Sequence, residues 1–153
     1  MSEEVLPSLE TVTKLVQCLL GDGVQARTAE KGPDTSKPWV IATYVDDNST
    51  LRRIIACDLA LANSLGAAFS MIPAGLAADS TKAGTMPENI RGNLHEVLNV
   101  CVNLFTANSK DRLALSDLRI CSGGTAAPAM KNSARFAVQV PRYAGGTLLA
   151  GSV

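Results

Sequence analysis

The stretch NLHEVLNVCVNLF, residues 93–105, has a complete apolar side and an unusual polar one. At about 100° per residue, a helix over residues 88–106 gathers Ile90, Leu94, Val97, Leu98, Val100, Cys101, Val102, Leu104 and Phe105 on one broad face. Burying side chains of this size contributes roughly 1.5–3 kcal/mol each. That face docks the helix, and the opposite stripe is free for another role. The stripe collects Glu88, Gly92, Glu96, Asn99, Asn103 and Thr106, with Asn89 and Asn93 at one margin and Arg91 and His95 at the other. Asparagine is a poorer helix former than Lys, Glu or Gln, because its short amide competes for backbone partners. A carboxamide also donates and accepts at once. Asn99, one turn after Glu96, is therefore suited to hold a water or a polar ligand in a fixed orientation. A solvated stripe, or one bonded to the core, is the structural alternative.

Pro87 opens this helix, which runs to Thr106 or Ala107. Upstream, Ser8 caps an amphipathic helix with Leu9, Val12, Leu15, Val16 and Leu19 at helical spacing and Gly21 as its stop. VQART (24–28) alternates like a strand, and EKGPDTSKP (30–38) is a turn-rich loop. WVIATYV (39–45) and TLRRIIAC (50–57) form a hairpin around DDNS, with Arg52 and Arg53 as charges guarding a sheet edge, the alternative being part of a docking surface for an acidic partner face. Residues 59–72 read as a small-residue core helix capped by Asp58, followed by a Gly, Ser and Thr loop through Met86. RLALSDLRICS (112–122), ARFAVQVPRY (134–143) and GTLLAGSV (146–153) are three more strands, the last two joined across AGG. The order gives one α+β domain over residues 1–153, an antiparallel sheet covered by long helices.

Composition removes several classes of function. Lys plus Arg (14) equals Asp plus Glu (14), so no basic field attracts a phosphate backbone, and six aromatic residues offer bases no stacking platform. The apolar run 59–78 has the length of a membrane span, but Asn63, Ser64 and Ser70 interrupt it and Pro73 and Gly75 break it. The acidic start MSEEVLPSLE lacks a signal-peptide pattern, which points to a cytoplasmic protein. Cysteines 18, 57, 101 and 121 sit among apolar neighbours without metal-ligand spacing and read as four buried thiols. SGGTAAPAMK (122–131) lacks phosphate-loop spacing and reads as a flexible loop, while His95 reads as a boundary histidine.

The pattern Glu96-Val97-Leu98-Asn99, on a helix that follows a helix-loop unit, resembles the ExxN signature of the CheC/CheX-like chemotaxis phosphatases. The similarity covers most of the chain: an opening helix, a hairpin ending in TLRRIIACD, a helix to MIPAG, the signature helix, then strands. It implies a phosphatase of an aspartyl-phosphorylated, CheY-type response regulator, with Glu96 and Asn99 as catalytic residues. Glu96 would pair with a receiver lysine and Asn99 would orient the attacking water. Gly92, His95 and Asn103 would complete the partner-binding stripe. Gly92 stands where the family usually has Asp or Ser, and Ser122 where a Pro is expected. The resemblance implies no cofactor of the chain's own, with Mg2+ supplied by the receiver. It also implies a homodimer, for which the apolar run GTLLAGSV offers an unpaired sheet edge. The alternative is a non-catalytic CheC-like binding module that docks a signalling or motility partner. With one His and four scattered Cys, folding should not depend on metal. EDTA is expected to leave the melting temperature unchanged, and a fall of several degrees would reveal a missed site.

Overall fold

β2 (Trp39–Val45) is apolar on both faces, and that fixes its place inside a sheet. Val40, Ala42 and Tyr44 join one buried cluster while Trp39 and Ile41 join another. The computed structural model describes residues 6–106 and 112–153. Its order is α1 (Leu9–Leu20), β1 (Gln25–Thr28), β2, β3 (Leu51–Asp58), α2 (Leu59–Phe69) and α3 (Ala74–Lys82). Then come α4 (Glu88–Val100), α5 (Asn103–Thr106), β4 (Ala114–Cys121), β5 (Asn132–Gln139) and β6 (Gly146–Ser152). The strands form one six-stranded antiparallel sheet in the order β1-β5-β6-β3-β2-β4. The main core packs α1, α2 and α4 against Val40, Ala42, Tyr44, Ile55, Cys57, Leu118, Phe136 and Leu148. A smaller cluster on the other face gathers Trp39, Ile41, Ile54, Ala56 and Leu149, with Met130 and Val153 packed on it.

The α+β architecture, the β2–β3 hairpin and the three later strands agree with the sequence reading. Several details do not. GTLLAGSV forms β6 between β5 and β3, so it is an interior strand and its edge cannot motivate dimerisation. The edges are β1, only four residues long, and β4, of eight. β3 is likewise interior, so Arg52 and Arg53 guard no edge; Arg52 pairs with Asp46 at 2.8 Å, and buried Arg53 sets its guanidinium 5.9 Å from the Phe105 ring centroid. Residues 74–82 are helical instead of looped, because Pro73 is followed by Ala74, Leu76, Ala77 and Ala78, good helix formers that outweigh Gly75.

Asp58 precedes α2 without capping it through its side chain. Its carboxylate instead accepts the Asp34 N–H at 3.1 Å and the Thr147 N–H at 2.8 Å, tying the 30–38 loop and β6 to the start of α2. α2 itself is buried nearly all round. Asn63 in its middle donates to Thr81 Oγ1 at 3.0 Å and to the Thr85 carbonyl at 3.1 Å, which holds α3 and the approach to α4 in place.

α2 and α4 cross at Gly66, where an added Cβ would lie 2.5 Å from the Ile90 carbonyl oxygen. On helix propensity alone, Gly66→Ala would stabilise by about 1 kcal/mol. The backbone contact reverses that sign. Gly66→Ala is expected to destabilise by about 1–3 kcal/mol, read as a lower denaturation midpoint, and a raised midpoint would mean the helices do not approach this closely.

Candidate partner-facing site on helix α4

Where α4 ends, its ladder stops being regular. Cys101 N–H reaches Val97 O, but Val102 N–H turns back to Asn99 O, and the chain makes a separate turn at α5. The Leu98 carbonyl accepts the Tyr44 hydroxyl at 2.6 Å instead, a bond buried between helix and sheet. Burial raises the Tyr44 pKa well above its ordinary range, so the hydroxyl stays protonated and remains a donor. Phe105 packs edge-on against the same ring at a centroid distance of 5.5 Å. The sequence reading of one helix to Thr106 or Ala107 is thus corrected; the helix stops at Val100, and Ala107 lies outside the described residues. Val100, expected in the core, is 38% exposed, and Val102 is only half-buried.

The remaining apolar positions, Ile90, Leu94, Val97 and Leu98, are buried, which turns the stripe outward. Gly92, His95, Glu96 and Asn99 are all exposed on α4. Asn103 is exposed too, but on α5 and out of the α4 register. The amides divide into two groups. Asn93 donates to the Gly66 carbonyl at 2.9 Å and to Ser70 Oγ at 2.6 Å, fixing α4 to the end of α2. Asn89 Oδ1 accepts the N–H of Ile90 at 2.9 Å. On the opposite margin Arg91 donates to the Leu118 carbonyl of β4. The side chains of Glu96 and Asn99, by contrast, make no hydrogen bond or ion pair among the described residues. Margins clamp the helix, and the centre of the stripe is left uncommitted.

One feature of this surface escaped the sequence reading. Phe69 (39% exposed), Met71 (85%) and Leu76 (54%) form an apolar corner between α2 and α3. Ser70, within that corner, is the residue Asn93 holds. Met71 has a left-handed φ of 61°, uncommon for a residue with a Cβ. The signal available was an apolar run continuing past the point where α2 must stop before Pro73.

Other candidate chemistry falls away or remains structural. No group of three or more His, Cys, Asp or Glu that could hold a metal ion occurs among the described residues. Cys57, Cys101 and Cys121 are buried, and burial pushes the Cys101 thiol up to about 12. Cys18 is exposed on α1, which corrects the expectation of four buried thiols. In the 122–131 loop, Gly124 N–H donates to the Thr35 carbonyl at 2.7 Å, joining the loop to the 30–38 segment. No helix among the described residues is long and apolar enough to cross a membrane.

No protein-family model matches the sequence, and no curated protein matches it. Solved structures do resemble it. FliY of Thermotoga maritima aligns with a TM-score of 0.64 at 8% identity, over 95% of this chain and 83% of that one. The chemotaxis protein CheX from Vibrio vulnificus aligns at 0.55 and 10% identity, over 99% and 100%. The chain has the CheC/CheX-like fold. The same fold relates it to FliM in the H. pylori FliM–SpeE complex, at a TM-score of 0.59 and 7% identity over 94% and 80%. Gly92, in the middle of α4, is open: beyond its own helix backbone and chain neighbours, no atom lies within 4 Å of where its Cβ would be. Gly92→Ala is expected to stabilise by about 1 kcal/mol, read as a raised denaturation midpoint, and a loss of stability would mean the glycine serves packing.

Proposed function

We propose that α4 docks a receiver domain carrying an aspartyl phosphate and promotes hydrolysis of that phosphate. The observation that carries this reading is the contrast within one helix. Arg91 and Asn93 are spent on holding α4 and Asn89 bonds within its first turn, whereas the Glu96 and Asn99 side chains are exposed one turn apart with no partner among the described residues. Glu96 pairs a receiver lysine. The Asn99 amide holds a water in line with the acyl phosphate. As the water oxygen bonds to phosphorus, the bond from phosphorus to the aspartyl oxygen breaks, leaving a free carboxylate and inorganic phosphate. The water's proton passes to phosphate or solvent, so the chain needs no base of its own. An acyl phosphate is already reactive, and the receiver brings the Mg2+ that neutralises developing charge; positioning is the part left to Asn99. The exposed corner of Phe69, Met71 and Leu76 beside α4 supports a protein as the partner. The reading requires a cytoplasmic protein, where such receivers act.

Docking without hydrolysis is the second reading. Gly92 favours it, since the turn before Glu96 carries no side chain to help orient a phosphoryl group. The likeness to FliM, which is solved bound to SpeE, favours it too. Receiver charged with acetyl phosphate separates the two by phosphate release. Under the first reading, Asn99→Ala cuts release by about 10²-fold, roughly 3 kcal/mol of transition-state stabilisation, with folding and binding little changed. Glu96→Ala weakens association, and Asn103→Ala is mild. Under the second reading, the wild-type chain adds nothing to the receiver's own rate, and Glu96→Ala and Asn99→Ala alter affinity only.

A further inference from the structure

The edge strand β4 carries a second surface, independent of the Glu96–Asn99 reading. The direction of its backbone groups follows from the ladders. Leu59 N–H bonds to the Pro38 carbonyl, extending the β2–β3 register in which Trp39 faces Asp58 and Val40 faces Cys57. Hydrogen-bonded pairs recur every second residue in an antiparallel ladder. Val40 and Ala42 therefore bond towards β3, and Trp39, Ile41 and Thr43 bond towards β4. Their partners are Cys121, Arg119 and Asp117. The N–H and C=O groups of Leu118 and Ile120 consequently point away from the sheet, along an eight-residue edge.

That edge is self-complementary in one register. Two antiparallel copies of β4 with Leu118 facing Leu118 on the two-fold axis put each Asp117 opposite the other copy's Arg119. These are non-hydrogen-bonded positions, where facing side chains come closest. The neighbouring registers that also bring outward groups together set Asp117 against Asp117, or Arg119 against Arg119. Both side chains are exposed, 3.8 Å apart within the strand, and available to a second copy. Charge thus selects the Leu118-centred pairing.

The centre of that register is occupied. Arg91, from α4, donates to the Leu118 carbonyl, the acceptor that a pairing strand needs on the axis. Closing the two-fold would also bring the two Arg91 guanidinium groups of the pair together, a like-charge approach. We propose that β4 is a latent strand-pairing surface for a second copy of this chain, and that Arg91 is the latch that keeps it shut. A charged side chain covering an exposed strand is a recognised way of preventing edge-to-edge association. Here the charge comes from the helix and lands on the central acceptor of the one favoured register.

The test is oligomeric state by light scattering at high micromolar concentration. The wild-type chain is expected at its monomer mass of 16.0 kDa, in place of the homodimer that the family resemblance implies. Arg91→Met keeps an apolar stem and removes the donor; it is expected to give a dimer, whereas Arg91→Lys, which still donates, stays monomeric. Adding Asp117→Arg or Arg119→Asp to Arg91→Met should return each double variant to a monomer. Mixing the two double variants should restore a heterodimer, since each strand then carries one sign of charge. A wild-type dimer, or an Arg91→Met monomer, overturns the latch. A dimer indifferent to the charge reversals overturns the register. Amide exchange in the wild-type chain checks the edge geometry without any variant: Leu118 and Ile120 should exchange fast while Asp117 and Arg119 are protected, and the reverse pattern would sink the proposal.

Discussion

The buried hydrogen bond from the Tyr44 hydroxyl to the Leu98 carbonyl sets the rotation of α4, and the rest of the site follows from that rotation. A hydroxyl buried without a partner costs about 1–3 kcal/mol, so β2 can accept α4 only in orientations that supply an acceptor. A carbonyl in the middle of a helix already accepts its ladder N–H, which leaves a second donor only one of its lone pairs. Leu98 is available because the ladder lapses just after it, with Val102 N–H turned to Asn99 O. The end of the helix and its docking on the sheet are therefore one event. With Leu98 against Tyr44, and Leu94 and Val97 buried beside it, Glu96 and Asn99 have nowhere to face but outward.

The close crossing at Gly66 fixes the other degrees of freedom. α2 runs through the core, and its small residues let the Ile90 backbone approach to a distance no Cβ would tolerate. Asn93 then spans the crossing to the Gly66 carbonyl and Ser70, while Arg91 reaches the opposite way to β4. Two side chains, two residues apart, hold α4 from both margins. A helix held in this way presents its free side chains in a constant geometry, which is the condition under which a single amide can position water.

The sheet and the signature helix were legible because their signals are periodic. β2 and β3 show as apolar runs bounded by turn residues, and the apolar face of α4 is unbroken from Ile90 to Leu98. Strand order was not legible, because it depends on which strands pair across long separations; β6 lies between β5 and β3 and no local feature of GTLLAGSV says so. The roles of the stripe's amides were equally hidden. Asn93 and Asn99 look alike in sequence, and only the position of Gly66 on another helix makes one structural and leaves the other free. The break after Val100 is hidden in the sequence for a similar reason. Val97, Leu98, Cys101, Leu104 and Phe105 keep helical spacing across it, and the residue that competes for the ladder, Tyr44, is distant in sequence.

Gly92 bears on what the stripe is for. A glycine inside a helix costs about 1 kcal/mol relative to alanine, and in this chain no close backbone approach or positive φ explains it, because its Cβ position is open. The glycine at Gly66, on the neighbouring helix, has an evident reason in the Ile90 carbonyl. Gly92 has none within the described residues, and it sits one turn before Glu96 on the exposed face. A side-chain-free turn at that point lets a partner's surface come closer to the helix backbone than any other residue would allow. Proximity of that kind brings a short amide such as Asn99 within reach of a group recessed in the partner, which a longer side chain would not require. Under the proposed docking, the choice of asparagine and the choice of glycine on this helix would have one physical cause.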